Sequence, residues 1–231
     1  MRKKHMAAAV AFVGASSAFL MKRIFEPEFA VYEDTSGIFI KCNKKRKETK
    51  LLVLTGENIS SSWNPLEVLR DSDRKIAAAK RLSSIILEIS SDDQVEELEA
   101  YLAESDLLAT ILLYADKSDN NTLMFVYEVI AEMASLGKKF KFDKLPELYS
   151  ARPISFCSLS AAEKQLVLED LLAKLEKFEI EKYSDILQNG DIHLKEFFGR
   201  KYDISTIDKN RRSLISILLE KMISAGDAAW K

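Results

Sequence analysis

The residues equipped for chemistry in this chain are few and scattered. It has two histidines, His5 and His193, and two cysteines, Cys42 and Cys157. His193 has no cysteine or second histidine at metal-ligand spacing, so no metal site is expected. A His193 base activating Cys157 as a nucleophile is a conceivable pairing. No local motif supports it, and Cys157, between Phe156 and Ser158, reads more simply as partly buried packing. The acids Asp92, Asp93, Glu96, Glu97 and Glu99 form a run that suits a solvated helix face and the positive end of a helix dipole. Asp116-Lys117-Ser118-Asp119-Asn120 has the acidic spacing of a calcium loop but lacks its glycine and distal glutamate, so it reads as an interhelical loop. Gly56 stands alone after Leu51–Leu54 and belongs to a turn, not to a phosphate-binding loop. The expectation is a non-enzymatic protein with no catalytic residue, no cofactor and no metal.

The elements that would position any site are mostly helical. Seven glycines and four prolines in 231 residues favour long helices over a turn-rich β fold. Charged residues make up 30% and the net charge is −2, so no global basic field points to nucleic acid and no acidic excess points to disorder. Two cysteines 115 positions apart make no disulfide framework, which fits a reducing compartment.

The first 25 residues differ from the rest. Met6 to Met21 is a run of 16 uncharged residues, flanked by Arg2, Lys3 and Lys4 on one side and Lys22 and Arg23 on the other. A spanning helix takes about 20 apolar residues, and Ile24 and Phe25 extend this run if Lys22 and Arg23 snorkel to the interface. Short, weakly hydrophobic anchors with basic flanks resemble the signal-anchors of mitochondrial outer-membrane proteins. That resemblance implies a single-pass protein of that membrane. A cleaved secretory signal, with Ser16-Ser17-Ala18 as the processing site and an endoplasmic reticulum route, is the alternative, as is an apolar or matrix-targeting N-terminal helix. The sequon matches at Asn58 and Asn120 are compatible with secretion but arise often by chance.

Residues 26–56 carry three strand candidates: Phe29–Tyr32, Ile38–Cys42 and Leu51–Leu54, with Asp34-Thr35-Ser36-Gly37 as turn chemistry between the first two. A small hairpin or meander is expected there. The basic cluster Lys44-Lys45-Arg46-Lys47 would be a solvated loop at its end, with anionic headgroups or a nuclear-import signal as the functional readings.

From residue 57 to 231 a 3.6-residue period dominates. Asn64-Pro65 has the chemistry of a helix start. Ile76, Ala79, Leu82, Ile85, Ile86 and Ile89 mark one face of a helix from Ser72 to Ser90. Asp92 is expected to cap a short helix with Val95, Leu98 and Leu102 inward, and Ser105 or Asp106 to cap the next. A further helix begins at Asp119–Thr122 and ends at Gly137. Ser158 or Ser160 caps a long helix with a seam of Leu166, Leu168, Leu171, Leu172, Leu175 and Phe178. Tyr183–Leu187 and the surroundings of Leu194 suggest short helices, and 207–225 the last one, with Trp230 packing back or meeting a partner.

Within this stretch Leu82-Ser83-Ser84-Ile85, Ile130-Ala131-Glu132-Met133, Leu172-Ala173-Lys174-Leu175 and Leu214-Ile215-Ser216-Ile217 recur at spacings of 48, 42 and 42. This pattern resembles the third helix of armadillo repeats, whose period is roughly 40–47 residues. The resemblance covers residues 65–225 and implies an irregular armadillo-like stack. Ser84, Glu132, Lys174 and Ser216 occupy the positions of the asparagine that lines the family's peptide groove, and all four depart from asparagine. They are the candidate partner-binding residues.

The fold class expected is therefore mainly α: an armadillo-like helical domain (57–231), a small β segment (26–56) and one N-terminal transmembrane helix (1–25). The function expected is an adaptor or scaffold that binds a partner protein at a membrane. An accessory subunit of a larger membrane complex is the alternative, and a hidden enzyme the last choice. No nucleic-acid partner is expected, and nothing in the pattern sets an oligomeric state.

Overall fold

A computed structural model describes residues 29–34, 37–42, 51–53, 62–91, 98–137, 153–188, 190, 192–196, 213–226 and 229–230. The N-terminal anchor candidate, with Arg2, Lys3, Lys4, Lys22 and Arg23, lies outside the described residues, as do the basic cluster at 44–47 and the acids from Asp92 to Glu97. The described part is mainly helical. Among the described residues no helix is long and apolar enough to cross a membrane.

Three strands, β1 (Phe29–Asp34), β2 (Gly37–Cys42) and β3 (Leu51–Val53), form an antiparallel sheet in the order β1-β2-β3. β1 pairs with β2 from Phe29↔Cys42 to Asp34↔Gly37, and Leu51–Val53 pair with Lys41–Phe39. Ile38 is fully buried.

Seven helices follow among the described residues: α1 (Glu67–Arg70), α2 (Lys75–Ser90), α3 (Leu98–Lys117), α4 (Leu123–Leu136), α5 (Ile154–Ser158), α6 (Ala161–Glu176) and α7 (Leu214–Ala225). α3 is the hub and packs against α1, α2, α4, α5 and α6. α7 packs on α2 and lies beside β1, while α6 packs on α4. One apolar core runs through the seven helices and takes in Ile38 of β2, with Trp63, Phe156 and Phe178 as its largest enclosed side chains.

Local chemistry sets the starts of three helices and the end of one of them. Thr122 Oγ1 accepts from the Phe125 amide at the start of α4, and Gly137, at φ 49°, takes the left-handed conformation that ends it. Ser160 and Glu163 form a capping box at α6: the Glu163 carboxylate accepts from the Ser160 amide at 2.7 Å, and the Ser160 hydroxyl accepts from the Glu163 amide at 3.3 Å. Ser213 caps α7. The helix expected to start at Asn64-Pro65 starts instead at Glu67, with Leu66 at its cap; Asn64 opens the turn before it, accepting from Leu66 N, while its amide donates to the Asn121 carbonyl and ties that turn to the α3–α4 loop.

The structure departs from expectation elsewhere as well. No helix boundary falls at Ser105–Asp106; α3 runs through both. Their polar groups serve packing instead: Ser83 Oγ donates to the Ser105 carbonyl, Ser155 Oγ donates to the Asp106 carboxylate at 2.8 Å, and Lys80 pairs with Asp106. Leu98, Leu102 and Ile76 face outward rather than into the core. In α6 the buried seam is Val167, Leu168, Leu171 and Leu175, so Leu166 is exposed and Leu172 only partly buried. Residues 183–187 form successive turns, because Trp63 N donates to the Ile186 carbonyl and Ile192 N to the Ser62 carbonyl, drawing the segment alongside residues 62–63. Trp230 does pack back, its indole N–H reaching the Met222 carbonyl at 3.3 Å.

Candidate functional site

The inward stripe of α6 is apolar at Val167, Leu168, Leu171 and Leu175, yet Lys174 stands in it. Four residues earlier, one helical turn, is Asp170. Facing them on α3 is Glu104, between the buried Ala103 and Leu107. The Lys174 ammonium donates to Glu104 Oε2 at 2.6 Å and to Asp170 Oδ2 at 2.9 Å. The Glu104 side chain is 2% exposed, that of Lys174 6% and that of Asp170 56%. Asp170 is thus the solvent-facing member of a buried cluster.

Burial pushes the Glu104 carboxyl up to about 8, and the hydrogen bond shared with Asp170 pushes the same way. The ammonium of Lys174 opposes both and is outweighed. For Asp170, burial also favours the neutral form. The hydrogen bonds from Glu104 and Lys174 and the charges of Lys174 and Lys177 win there, and hold it below the ordinary aspartate range. The two acids are therefore pushed in opposite directions, Glu104 toward its neutral form and Asp170 toward its ionised form. A neutral acid, an anion and a cation sum to zero charge, which lowers the cost of enclosing them. The cluster can hold or release a proton.

A second polar feature lies at the C-terminal end of α6. A cleft of about 270 Å3 is floored by Leu175 and Ile180 and ringed by Tyr127, Glu176, Glu179, Glu181 and Lys182. Burial, then the charges of Glu176 and Glu181, raise the Tyr127 phenol above its ordinary value. Glu179 sits at φ 49°, a left-handed conformation that side-chain-bearing residues rarely take, and its carboxylate accepts from Lys182 at 3.0 Å. The Lys182 ammonium also lies 4.9 Å from the Tyr183 ring centroid.

The four candidate partner-binding residues do not share one exposed face. Lys174 and Ser216 are buried, so neither lines a surface groove. Ser216 accounts for its polar groups in the first turn of α7, its hydroxyl donating to the Ser213 carbonyl at 2.9 Å. Ser84 is partly buried and its hydroxyl donates back to the Lys80 carbonyl. Glu132 alone of the four is exposed, on α4. Lys174 is the one member that reaches a polar cluster, as an interior cation.

His193 Nδ1 lies 2.7 Å from Glu67 Oε1, and Lys195 pairs with Asp71 at 3.2 Å, so the segment 192–196 is strapped to α1. Cys157 is a partly buried free thiol on α5. Asp116 pairs with Lys75 at 2.6 Å, which makes the 116–120 stretch part of the α2–α3 packing. Among the described residues no group of three metal-ligating side chains converges.

Glu104 was the residue that reading the sequence missed. Its signal is an acid inside the apolar stripe Ala103, Leu107, Leu108 and Ile111, matched by a base inside the stripe of another helix. No family model, no curated protein and no solved structure matches this chain.

Proposed function

We propose that this chain is a helical adaptor that holds a partner protein at a membrane, its N-terminal segment acting as the tether. The tether reading rests on the uncharged run Met6–Met21 between basic flanks. A mitochondrial outer membrane is the location proposed, on the resemblance of that run to short signal-anchors. Tethering raises the effective concentration of a binding surface for other proteins on the same membrane.

The observation that carries the adaptor reading is an apolar strip on α3 and α5. Leu98 is 70% exposed and Leu102, one turn on, 46%. Asp106, a further turn along, binds Ser155 of α5, whose sequence neighbour Ile154 is 74% exposed. Neighbouring exposed aliphatic side chains on a packed helical body mark a protein contact more readily than a catalytic pocket.

The test has two arms. Carbonate extraction and fractionation of tagged full-length protein should leave it in the mitochondrial membrane pellet; release to the supernatant overturns the tether. Crosslinking on intact membranes should trap a partner through wild-type protein. The variant Leu98→Asp/Leu102→Asp/Ile154→Asp, with the same melting temperature, should lose that product. An unchanged crosslinking pattern overturns the role of the strip.

A further inference from the structure

We infer that Glu104, Asp170 and Lys174 form a proton-operated latch between α3 and α6, in which the proton shared by the two carboxyls holds α6 down and its loss loosens α6. This inference stands apart from the adaptor reading and from any partner.

The argument begins with charge counting. Two acids and one base meet where Glu104 and Lys174 are almost wholly removed from solvent. The trio is neutral only while one acid keeps its proton. In that state every short contact is favourable: Lys174 donates to Glu104 and to Asp170, and a protonated Glu104 has the carboxylate of Asp170, bound to the same ammonium, as its acceptor. Remove the proton and the carboxyl–carboxylate hydrogen bond becomes a repulsion between two anions sharing one cation, in a place with little water to screen it. The proton leaves by way of Asp170, the exposed member, to hydroxide or buffer base, and no other group changes state.

The surroundings offer no substitute among the described residues. Lys80 of α2 is engaged with Asp106, and Ser155 of α5 with the same carboxylate. Glu67 of α1 faces His193, and Glu128 and Glu132 of α4 are exposed. Lys177, one turn beyond Lys174, acts on Asp170 and donates to the Ser90 carbonyl at the end of α2. The groups that act on Glu104 are therefore Lys174 and Asp170, both on α6.

Position gives the latch its consequence. α6 also packs against α4 and α2, and its last turn supplies Leu175 and Glu176 to the cleft at Tyr127. A proton lost at residue 104 is felt along the whole helix.

The experiment is hydrogen exchange of α6 amides in full-length protein across a pH series, corrected for intrinsic base catalysis, in wild type and Glu104→Gln. In wild type the opening constant of α6 should rise about tenfold per pH unit until the pH reaches about 8 and level off above it. In Glu104→Gln, which keeps a donor and an acceptor at every pH, it should stay flat. Parallel profiles in the two proteins overturn the latch. If the variant does not fold, carboxyl carbon resonances of labelled glutamate in wild type decide the matter. One titrating near 8 supports the latch, and all titrating in the ordinary glutamate range overturn it.

Discussion

Helix α6 meets acids at two places and treats them in opposite ways. At its inward face Lys174 meets the enclosed Glu104 of α3, and Asp170 is the solvent-facing edge of that cluster. At its C-terminal end Glu176 joins Glu179 and Glu181 around a cleft open to water, where Lys182 is a loose, exposed counter-ion. Residue type does not separate them. Solvent does. In the interior a carboxyl must find a proton or a cation, so position becomes charge state. At the rim water does the same work, and the pairs contribute little.

The largest expected effect breaks this contrast from the buried side. Lys174→Met removes the cation, and above about pH 8, where Glu104 is ionised, leaves a buried carboxylate unpaired; there it should cost about 3–5 kcal/mol of stability in urea unfolding. Lys182→Met, at the rim, should cost under about 1 kcal/mol. Equal costs would mean that enclosure does not govern the cluster.

Nearly as large is a packing test on the same helix. Leu171 is fully buried and Leu166 exposed. Leu171→Ala should lower stability by about 2–5 kcal/mol and Leu166→Ala by less than about 0.5 kcal/mol. The reverse order would turn α6 over and carry Lys174 out to solvent.

A pH profile sharpens the comparison further. Glu104 titrates higher when folded than the ordinary 4.5, so the folded state binds more protons between there and about 8. Its contribution is present in full below the ordinary glutamate range and is lost as pH climbs to about 8, at up to about 1.4 kcal/mol per pH unit. Asp170 runs the other way: held low in the folded state, it adds stability above its ordinary 3.8 that is lost on acidification. Urea midpoints measured across pH should therefore peak in mildly acid solution. A maximum on the alkaline side would contradict the division of the proton.

The smaller effects concern the two ends of α6. Ser160→Ala dismantles the capping box and should cost about 1 kcal/mol, read as a lower melting temperature. Glu179→Gly relieves a left-handed backbone and should raise stability by about 0.5–1 kcal/mol, after the exposed Lys182 pair is discounted. A Glu179→Gly protein that melts earlier would show that the cleft depends on that carboxylate.

Local signals were legible where the physics is local. Thr122, Gly137 and Ser160 mark helix ends because a side-chain oxygen or a missing Cβ acts within one turn of itself, whereas Ser213 caps the last helix inside the stretch expected to be helical from 207. Ala79, Leu82, Ile85 and Ile86 of the expected α2 face are buried, Ile76 at its start is not, and the three strand candidates coincide with paired strands. Ser105 and Asp106 misled because good capping residues are equally good partners for a neighbouring helix, and α5 claimed Asp106. The seam of α6 holds at Leu168, Leu171, Leu175 and Phe178 and fails at Leu166 and Leu172, because leucines lie on both of its faces and periodicity does not choose between Leu166 and Val167. Lys174 read as a groove residue because a repeat pattern records spacing and not the direction a side chain points.

Composition and short-range spacing were enough to settle that this is a largely helical chain, where several of its helices begin or end, and that residues 1–25 are chemically unlike the rest. They could not disclose that a glutamate and a lysine 70 positions apart share one proton-bearing cluster. That required α3 and α6 to be laid face to face, because the state of a carboxyl depends on the water it has lost and the charges brought within about 3 Å of it. Both conditions exist only once the helices have packed.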